Sequence, residues 1–335
     1  MDFSVLLILL VCCFIASLMG TSALRRYLLR HRIIDKPNAR SSHKNPTPRG
    51  AGLVTVLVVF ACYGVFSLLI PGHALEYWPI MAGLLGVTAI SWLDDVVTVA
   101  PRWRLLVQIV AVSVALKFGT LNGLVFQGFF PSWADLIVAG LAWIWFINLY
   151  NFMDGIDGIT GMQTIFIAAG ISILGFMNIG SNSDYYYALV LIAAMLGFLK
   201  HNWHPASIFM GDVGSISIGF LLGCMLLNLA ARGHFAAALI LPAYYVTDTS
   251  VTLIRRLIAG KKVWEPHAEH FFQKALKTIG SSHTTIVKKV SLANIALLLL
   301  ALTTALMPSV TLITFIAAIV VIALLLYDLT PKKKR

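Results

Sequence analysis

The chain is poor in charge. Only 12% of its 335 residues are Asp, Glu, Lys or Arg, and just 14 of them are acidic, while 59% are hydrophobic. Soluble domains carry about 25% charged residues, so a water-exposed globular protein is excluded. Cysteine is equally scarce. Cys12, Cys13, Cys62 and Cys224 all lie inside apolar runs, with no CxxC and no Cys/His metal spacing, which excludes a disulfide framework or a zinc ribbon. No long polar stretch separates the apolar runs and no internal repeat is visible, so a second, soluble domain is not expected. The first run has no basic residue before it and no small-residue cleavage site before Arg25. It reads as a retained helix and not as a signal peptide.

What is present is a series of apolar segments long enough to span a bilayer, for which about 18 to 20 residues are needed. They fall near 3–24, 50–70, 77–93, 104–121, 134–150, 159–178, 185–199, 213–231, 235–256, 289–307 and 309–327. In lipid each backbone polar group must be satisfied within its own segment, which excludes an open sheet. The expected fold is therefore all-α: a polytopic transmembrane bundle of about eleven helices, forming one integral-membrane domain over 1–335. If the N-terminus lies outside, every Lys and Arg except Lys117 and Arg232 falls on one side. Positive residues are retained on the cytoplasmic side, so the N-terminus is expected outside and the C-terminus in the cytoplasm. The net charge of +11 then reflects orientation and attraction to anionic membrane lipids, and no nucleic-acid partner is required.

The outer connections look chemically plain, whereas the inner ones, 25–49, 94–104, 148–158, 200–215 and 255–289, are dense in functional side chains. Asp94, Asp95, Asp154, Asp157 and Asp212 all sit at inner helix ends. Ionisable groups near membrane depth are costly and mark function. Asn148, Asn151, Asp154 and Asp157 recur every three residues. Residues three apart eclipse on a 3₁₀ turn and drift only slowly around an α-helix, so the four are expected to form a polar row about as long as a diphosphate. Gly155 and Gly158 allow close approach of a ligand or backbone. Each acid alone reads equally well as a solvated loop residue or a helix cap; five on one face do not.

Carboxylates alone repel a diphosphate and suit it only with a divalent cation between them. Mg²⁺ takes one or two protein carboxylates plus substrate phosphates and waters, so at most two of the five acids are expected as direct ligands. Asp212, in Gly-Asp-Val-Gly-Ser before a helix, is the best placed, and the start of that helix favours phosphate. Arg49, Arg102 and Arg104 are candidates for phosphate oxygens, which arginine holds at two points, although positive-inside retention alone accounts for such charge. His267 and His270, three apart, share a helix face and fit an anion better than zinc, since no third soft ligand is evident.

In this order, Pro46-Thr-Pro-Arg-Gly-Ala-Gly52, Asp94-Asp95, NxxNxxDGxDG at 148–158, FMGDVGS at 209–215 and Pro242…Asp248…Arg255-Arg256 leading to HxxH resemble the polyprenyl-phosphate N-acetylhexosamine-1-phosphate transferases, of the glycosyltransferase 4 family. The resemblance runs from Asp35 to about Lys274. It implies Asp212 and Asn151 as Mg²⁺ ligands (with Mn²⁺ as a substitute) and Asp94 and Asp95 as the catalytic pair near the reacting phosphates. It implies Asn148, Asp154 and Asp157 as nucleotide-sugar residues, and the 255–289 loop, with His267 and His270, as a sugar-facing lid. The substrates implied are undecaprenyl phosphate and a UDP-N-acetylhexosamine. The segments around RSSH at 40–43 and HAEHFFQ at 267–273 are similar to the branch that begins O-antigen or capsule repeat units. The chain departs from the family at Ala51, within a usual triple glycine, and at Ala268, where that branch often has Arg. A homodimer is compatible with such a bundle.

The implied reaction is attack of the lipid phosphate on the β-phosphorus of the nucleotide sugar, with an aspartyl-phosphate route as the two-step variant. The rival reading is a transporter or flippase, which would place its charges near mid-membrane on broken helices in repeated halves. Here the acids gather at inner ends, with Asp248 the one apparent exception.

Overall fold

The computed structural model describes residues 1–35, 37, 45–119, 121, 123–262 and 267–331. The RSSH segment at 40–43 and the basic tail at 332–335 lie outside the described residues. Thirteen α-helices occur among those described. They are α1 Phe3–Arg30, α2 Gly52–Leu69, α3 His73–Val96, α4 Pro101–Phe118, α5 Ser132–Phe152, α6 Ile159–Phe176 and α7 Asn182–Asn202. They continue with α8 Asp212–Leu229, α9 Phe235–Ile240, α10 Ala243–Ile258, α11 Phe271–Lys274, α12 His283–Leu306 and α13 Thr311–Asp328. Local signals set several starts. Ser181 and Ser282 accept from Asp184 N and Thr285 N as N-caps of α7 and α12, and Pro101 opens α4.

Among the described residues the apolar segments are largely helical, and nine helices are long and apolar enough to cross a membrane. Two segments fall outside that set for visible reasons. Helix α4 carries Arg102, Arg104 and Lys117 within its 18 residues. The 235–256 segment is interrupted at Leu241–Pro242 into α9 and α10, where proline cannot donate to the helix ladder. Gly233, at φ 96°, breaks the chain between α8 and α9.

Helix α8 is the centre of the bundle. Its sequence is apolar on every side, as a helix surrounded by protein requires, and it is buried nearly throughout, against α2, α3, α5 and α6. Helices α1 and α13 instead expose Leu7, Ile8 and Met19, and Leu312, Ile313 and Leu324, an apolar surface too extensive for water and suited to lipid.

Contacts between helix ends define a basic end, where α1, α3, α5, α7, α10 and α13 finish and α2, α4, α6, α8 and α12 begin. The only strands among the described residues are there: β1 Ile34–Asp35 pairs antiparallel with β2 Thr47–Pro48. Beyond β2 the chain is stitched to the segment before α8. Phe209 N donates to Pro48 O (2.8 Å), Gly50 N and Ala51 N donate to Phe209 O (3.1 and 3.0 Å), and Gly52 N donates to Met210 O (2.9 Å). The starts of α2 and α8 touch so closely that a Cβ at Gly52 would lie 2.0 Å from Gly214 Cα.

The opposite end is less plain than its sequence suggests. Asp184 is buried, accepting from Tyr77 Oη and from Asn228 Nδ2 (3.0 Å), and His73 Nε2 meets Tyr187 Oη at 2.9 Å. This cluster ties α3, α7 and α8 together at the end opposite the basic one.

Candidate active site at the basic end

Asp94 and Asp95 are adjacent in sequence but point to different tasks, because successive helical residues are about 100° apart. Asp95 is 5% exposed. Its carboxylate accepts from Asp212 N (3.1 Å) and Val213 N (3.0 Å), the first free amides of α8, and faces Arg49 Nε at 3.4 Å. It caps α8 from 117 residues away, an N-cap in all but sequence position. Gly211, at φ 77°, is required there: a Cβ would meet Asp95 Oδ2 at 2.6 Å and Gly50 N at 2.8 Å.

Asp94 turns instead to Arg104 and stays partly exposed. It accepts from Val99 N (2.8 Å) and pairs with Arg104, whose Nη1 also reaches Asp212 Oδ2 at 3.0 Å. Asn151 Nδ2 donates to Asp212 Oδ1 (3.1 Å) and to Ser215 Oγ (2.8 Å). The ends of α3 and α5 and the starts of α4 and α8 thus converge on one carboxylate, Asp212. The sequence placed Asp94, Asp212, Asn151 and Arg104 together by type and side, and the structure joins them by direct bonds.

The three-residue row is not continuous. Helix α5 ends at Phe152, so only Asn148 and Asn151 lie on it. Asn148 Nδ2 is spent on Gln108 Oε1 and Ile144 O, both at 2.8 Å. Asp154 lies just past the helix, where burial, against a hydrogen bond with Thr160 and with Asp212 and Asp157 nearby, raises its carboxyl to about 7. Asp157 turns away toward two imidazoles, with His204 Nδ1 at 2.6 Å and His283 Nδ1 at 3.4 Å from its Oδ2, which also accepts from Ala206 N (3.1 Å). Burial alone would raise its carboxyl, but the contacts with His283, His204 and Ala206 N hold it below the usual carboxylate range. Gly155 is packed against α11, so that a Cβ would meet the Phe272 ring at 2.8 Å.

The two histidines of the HxxH segment stay side by side, with ring centroids 5.0 Å apart, but differ in their surroundings. His270 is buried, its Nδ1 3.1 Å from Asp248 Oδ1, which accepts from Phe271 N as well (3.1 Å). The structure therefore gives His270 the task of anchoring the loop and not of facing a ligand. Asp248, which looked like a mid-membrane acid, lies near the basic end as that anchor's other half. His267 is half-buried, and burial, with His270 and Arg256 beside it, lowers it to about 4, so at neutral pH it offers hydrogen bonds and no charge. Arg102 stands apart from the network, exposed, with its guanidinium 5.7 Å from the Trp103 ring centre.

Residues 77–230, which include this network, match the family described as glycosyl transferase family 4. Over that span the chain is similar to that family. It is 28% identical over 297 residues to a probable undecaprenyl-phosphate N-acetylglucosaminyl 1-phosphate transferase of Bacillus subtilis, covering 83% of this chain and 80% of that one. It is 27% identical to a decaprenyl-phosphate N-acetylglucosaminephosphotransferase of Mycolicibacterium smegmatis, covering 80% and 74%. A phospho-N-acetylmuramoyl-pentapeptide-transferase of Kosmotoga olearia is 32% identical over 202 residues, 54% of this chain and 60% of that one.

By its chemistry the donor set suits a hard divalent cation. Asp212 and Ser215 present oxygen atoms at one point, where the Asn151 amide nitrogen now bonds both; oxygen is the ligand type Mg²⁺ prefers. The carboxylates of Asp94, Asp95 and Asp212 outnumber the guanidinium groups of Arg49 and Arg104. Sequence reading gave no role to His204, His283, Gln108 or Asn202, whose Oδ1 accepts from Gly158 N at 2.9 Å. Each is a lone polar residue in its own segment, and only folding supplies its partner.

Proposed function

We propose that the protein transfers N-acetylhexosamine 1-phosphate from a UDP-N-acetylhexosamine to undecaprenyl phosphate at the cytoplasmic face of a bacterial inner membrane, releasing UMP. The observation that carries the reading is the meeting of Asp94, Arg104, Asn151 and Asp212 from four helices at the membrane-proximal basic end. Two of the relatives are named for passing N-acetylglucosamine phosphate to a polyprenyl phosphate, which supports both the lipid acceptor and an N-acetylated sugar.

In the reaction an oxygen of the lipid phosphate attacks the β-phosphorus, and the bond from that phosphorus to the UMP oxygen breaks. A phosphate monoester has a second pKa near about 6, so the acceptor is largely dianionic at neutral pH and needs no strong base. Catalysis then rests on positioning and charge neutralisation. Asp212 and Asn151 would hold Mg²⁺, which supplies charge neutralisation to the diphosphate when bound. Arg104, released from Asp94 and Asp212, turns to phosphate oxygens, and Arg49 stands beside it. Asp94 positions the acceptor phosphate and takes any residual proton. The segment anchored by His270 on Asp248 presses α11 onto the Asp154–Gly158 loop and covers the nucleotide sugar. The RSSH and HAEHFFQ segments favour a first step of O-antigen or capsule assembly.

The test is purified protein with undecaprenyl phosphate and a panel of UDP-GlcNAc, UDP-GalNAc and their 6-deoxy relatives. The expected result is Mg²⁺-dependent formation of a lipid diphospho-sugar with one of them. Turnover of none, with UMP release undetectable, would remove the proposal.

A further inference from the structure

A second group of ligand-type side chains lies outside the Asp212 network. Asp157 before α6, His204 between α7 and α8, and His283 at the start of α12 each offer one donor atom, and the three atoms lie within 4.8 Å of one another. Asp157 and His283 are buried, and His204 is 40% exposed at its side chain. The rings of His204 and His283 have centroids 4.5 Å apart.

The protons of this group do not close on their own. Asp157 N lies 3.2 Å from His283 Nδ1 as a donor, which requires a lone pair on that nitrogen. The same nitrogen lies 3.4 Å from Asp157 Oδ2, which requires a proton on it. A neutral imidazole nitrogen is donor or acceptor, not both. Without that proton the nitrogen and the carboxylate oxygen repel each other, and a cation that takes the lone pair in place of the amide hydrogen would bridge them.

We propose that Asp157, His204 and His283 form a binding site for a borderline-soft divalent transition ion of the zinc class, separate from the magnesium site of the proposed function. Two imidazoles and one carboxylate are the donor set such ions take, at about 2.0–2.1 Å. At those bond lengths tetrahedral neighbours lie roughly 3.4 Å apart, as His283 Nδ1 and Asp157 Oδ2 already do. His204 Nδ1, at 2.6 Å, must open slightly, and it is the exposed member. Water completes the fourth position on its open side. Nitrogen donors select against Mg²⁺, which keeps to oxygen. The ion would staple three segments: the Asp154–Gly158 loop, the segment before α8, and the start of α12, which follows the covering loop.

The experiment uses full-length protein in detergent, stripped with chelator and titrated with Co²⁺. One equivalent should bind with the visible ligand-field bands of nitrogen-containing low-coordinate cobalt, and Zn²⁺ should displace it and raise the unfolding midpoint. His204→Ala and His283→Ala should each weaken binding at least about tenfold, the lower bound for disturbing a metal's surroundings. Asp212→Asn should leave the bands intact. Asp157→Asn, which preserves side-chain shape, is the companion variant should a histidine variant fail to fold. Absence of the bands, or bands that survive both histidine variants or vanish with Asp212→Asn, would overturn the site and leave a proton-bridged cluster. Mg²⁺-dependent transfer measured on the same preparation reports on the proposed function independently.

Discussion

Asp95→Ala separates the two members of the Asp-Asp pair. The Asp95 carboxylate is buried and accepts from the first two amides of α8 while facing Arg49. Loss of an N-cap costs about 1 kcal/mol, and a hydrogen bond to a charged group contributes about 1.5–3 kcal/mol. Allowing for the carboxylate's own desolvation, the net loss is about 2–4 kcal/mol. Asp94→Ala removes only one partner of the partly exposed Arg104, which keeps Asp212, and should cost about 1 kcal/mol or less. The assay is the apparent unfolding midpoint in detergent without substrate, at one fixed scan rate because large membrane proteins unfold irreversibly. Asp95→Ala should melt clearly below wild type, and Asp94→Ala close to it with its activity gone. An Asp95→Ala protein as stable as wild type but inactive would show that the carboxylate serves the chemistry and not α8.

Asp212→Asn should be inactive at every pH in a lipid diphospho-sugar assay, whereas Asp94→Asn should regain activity as pH rises and the acceptor phosphate loses its last proton. For Asp154 the folded-state value of about 7 lies above the ordinary 3.8, so the folded state holds a proton that the unfolded chain has released. Its contribution favours folding at low pH and is lost as pH rises from about 4 to 7; Asp154→Asn should flatten that part of the stability profile, read by melting at pH 5 and pH 8. Gly52→Ala puts a methyl against the Gly214 backbone at 2.0 Å, where neither side can yield. It should cost at least about 1–3 kcal/mol and abolish activity, checked by melting and turnover; normal behaviour would mean that the starts of α2 and α8 are not locked.

The apolar segments were legible in the sequence because lipid allows little else: a helix satisfies its own backbone, and each run carries its signal locally. The polar network was legible in part. Asp94, Arg104, Asn151 and Asp212 are functional residue types on the same side, and the fold brings them into contact. The Asp95 cap was not legible, since its partners are the amides of residues 212 and 213 and an amide has no letter in the sequence. Spacing misled for Asn148–Asp157, because three-residue recurrence presumes one continuous helix and α5 stops at Phe152. It misled again for His267 and His270: both precede α11 and share no helix face, although their rings stay 5.0 Å apart. Asp248 itself looked misplaced only because the break at Leu241–Pro242 was not foreseen.

The most direct test of the account is exchange of radiolabelled UMP into unlabelled UDP-N-acetylhexosamine by the purified protein. Direct transfer between nucleotide and lipid predicts label in the UDP-sugar only when undecaprenyl phosphate and Mg²⁺ are both present, and none with Asp212→Asn. Exchange that continues without the lipid would show that the sugar phosphate rests on the protein itself, and exchange that never appears would contradict the transfer altogether.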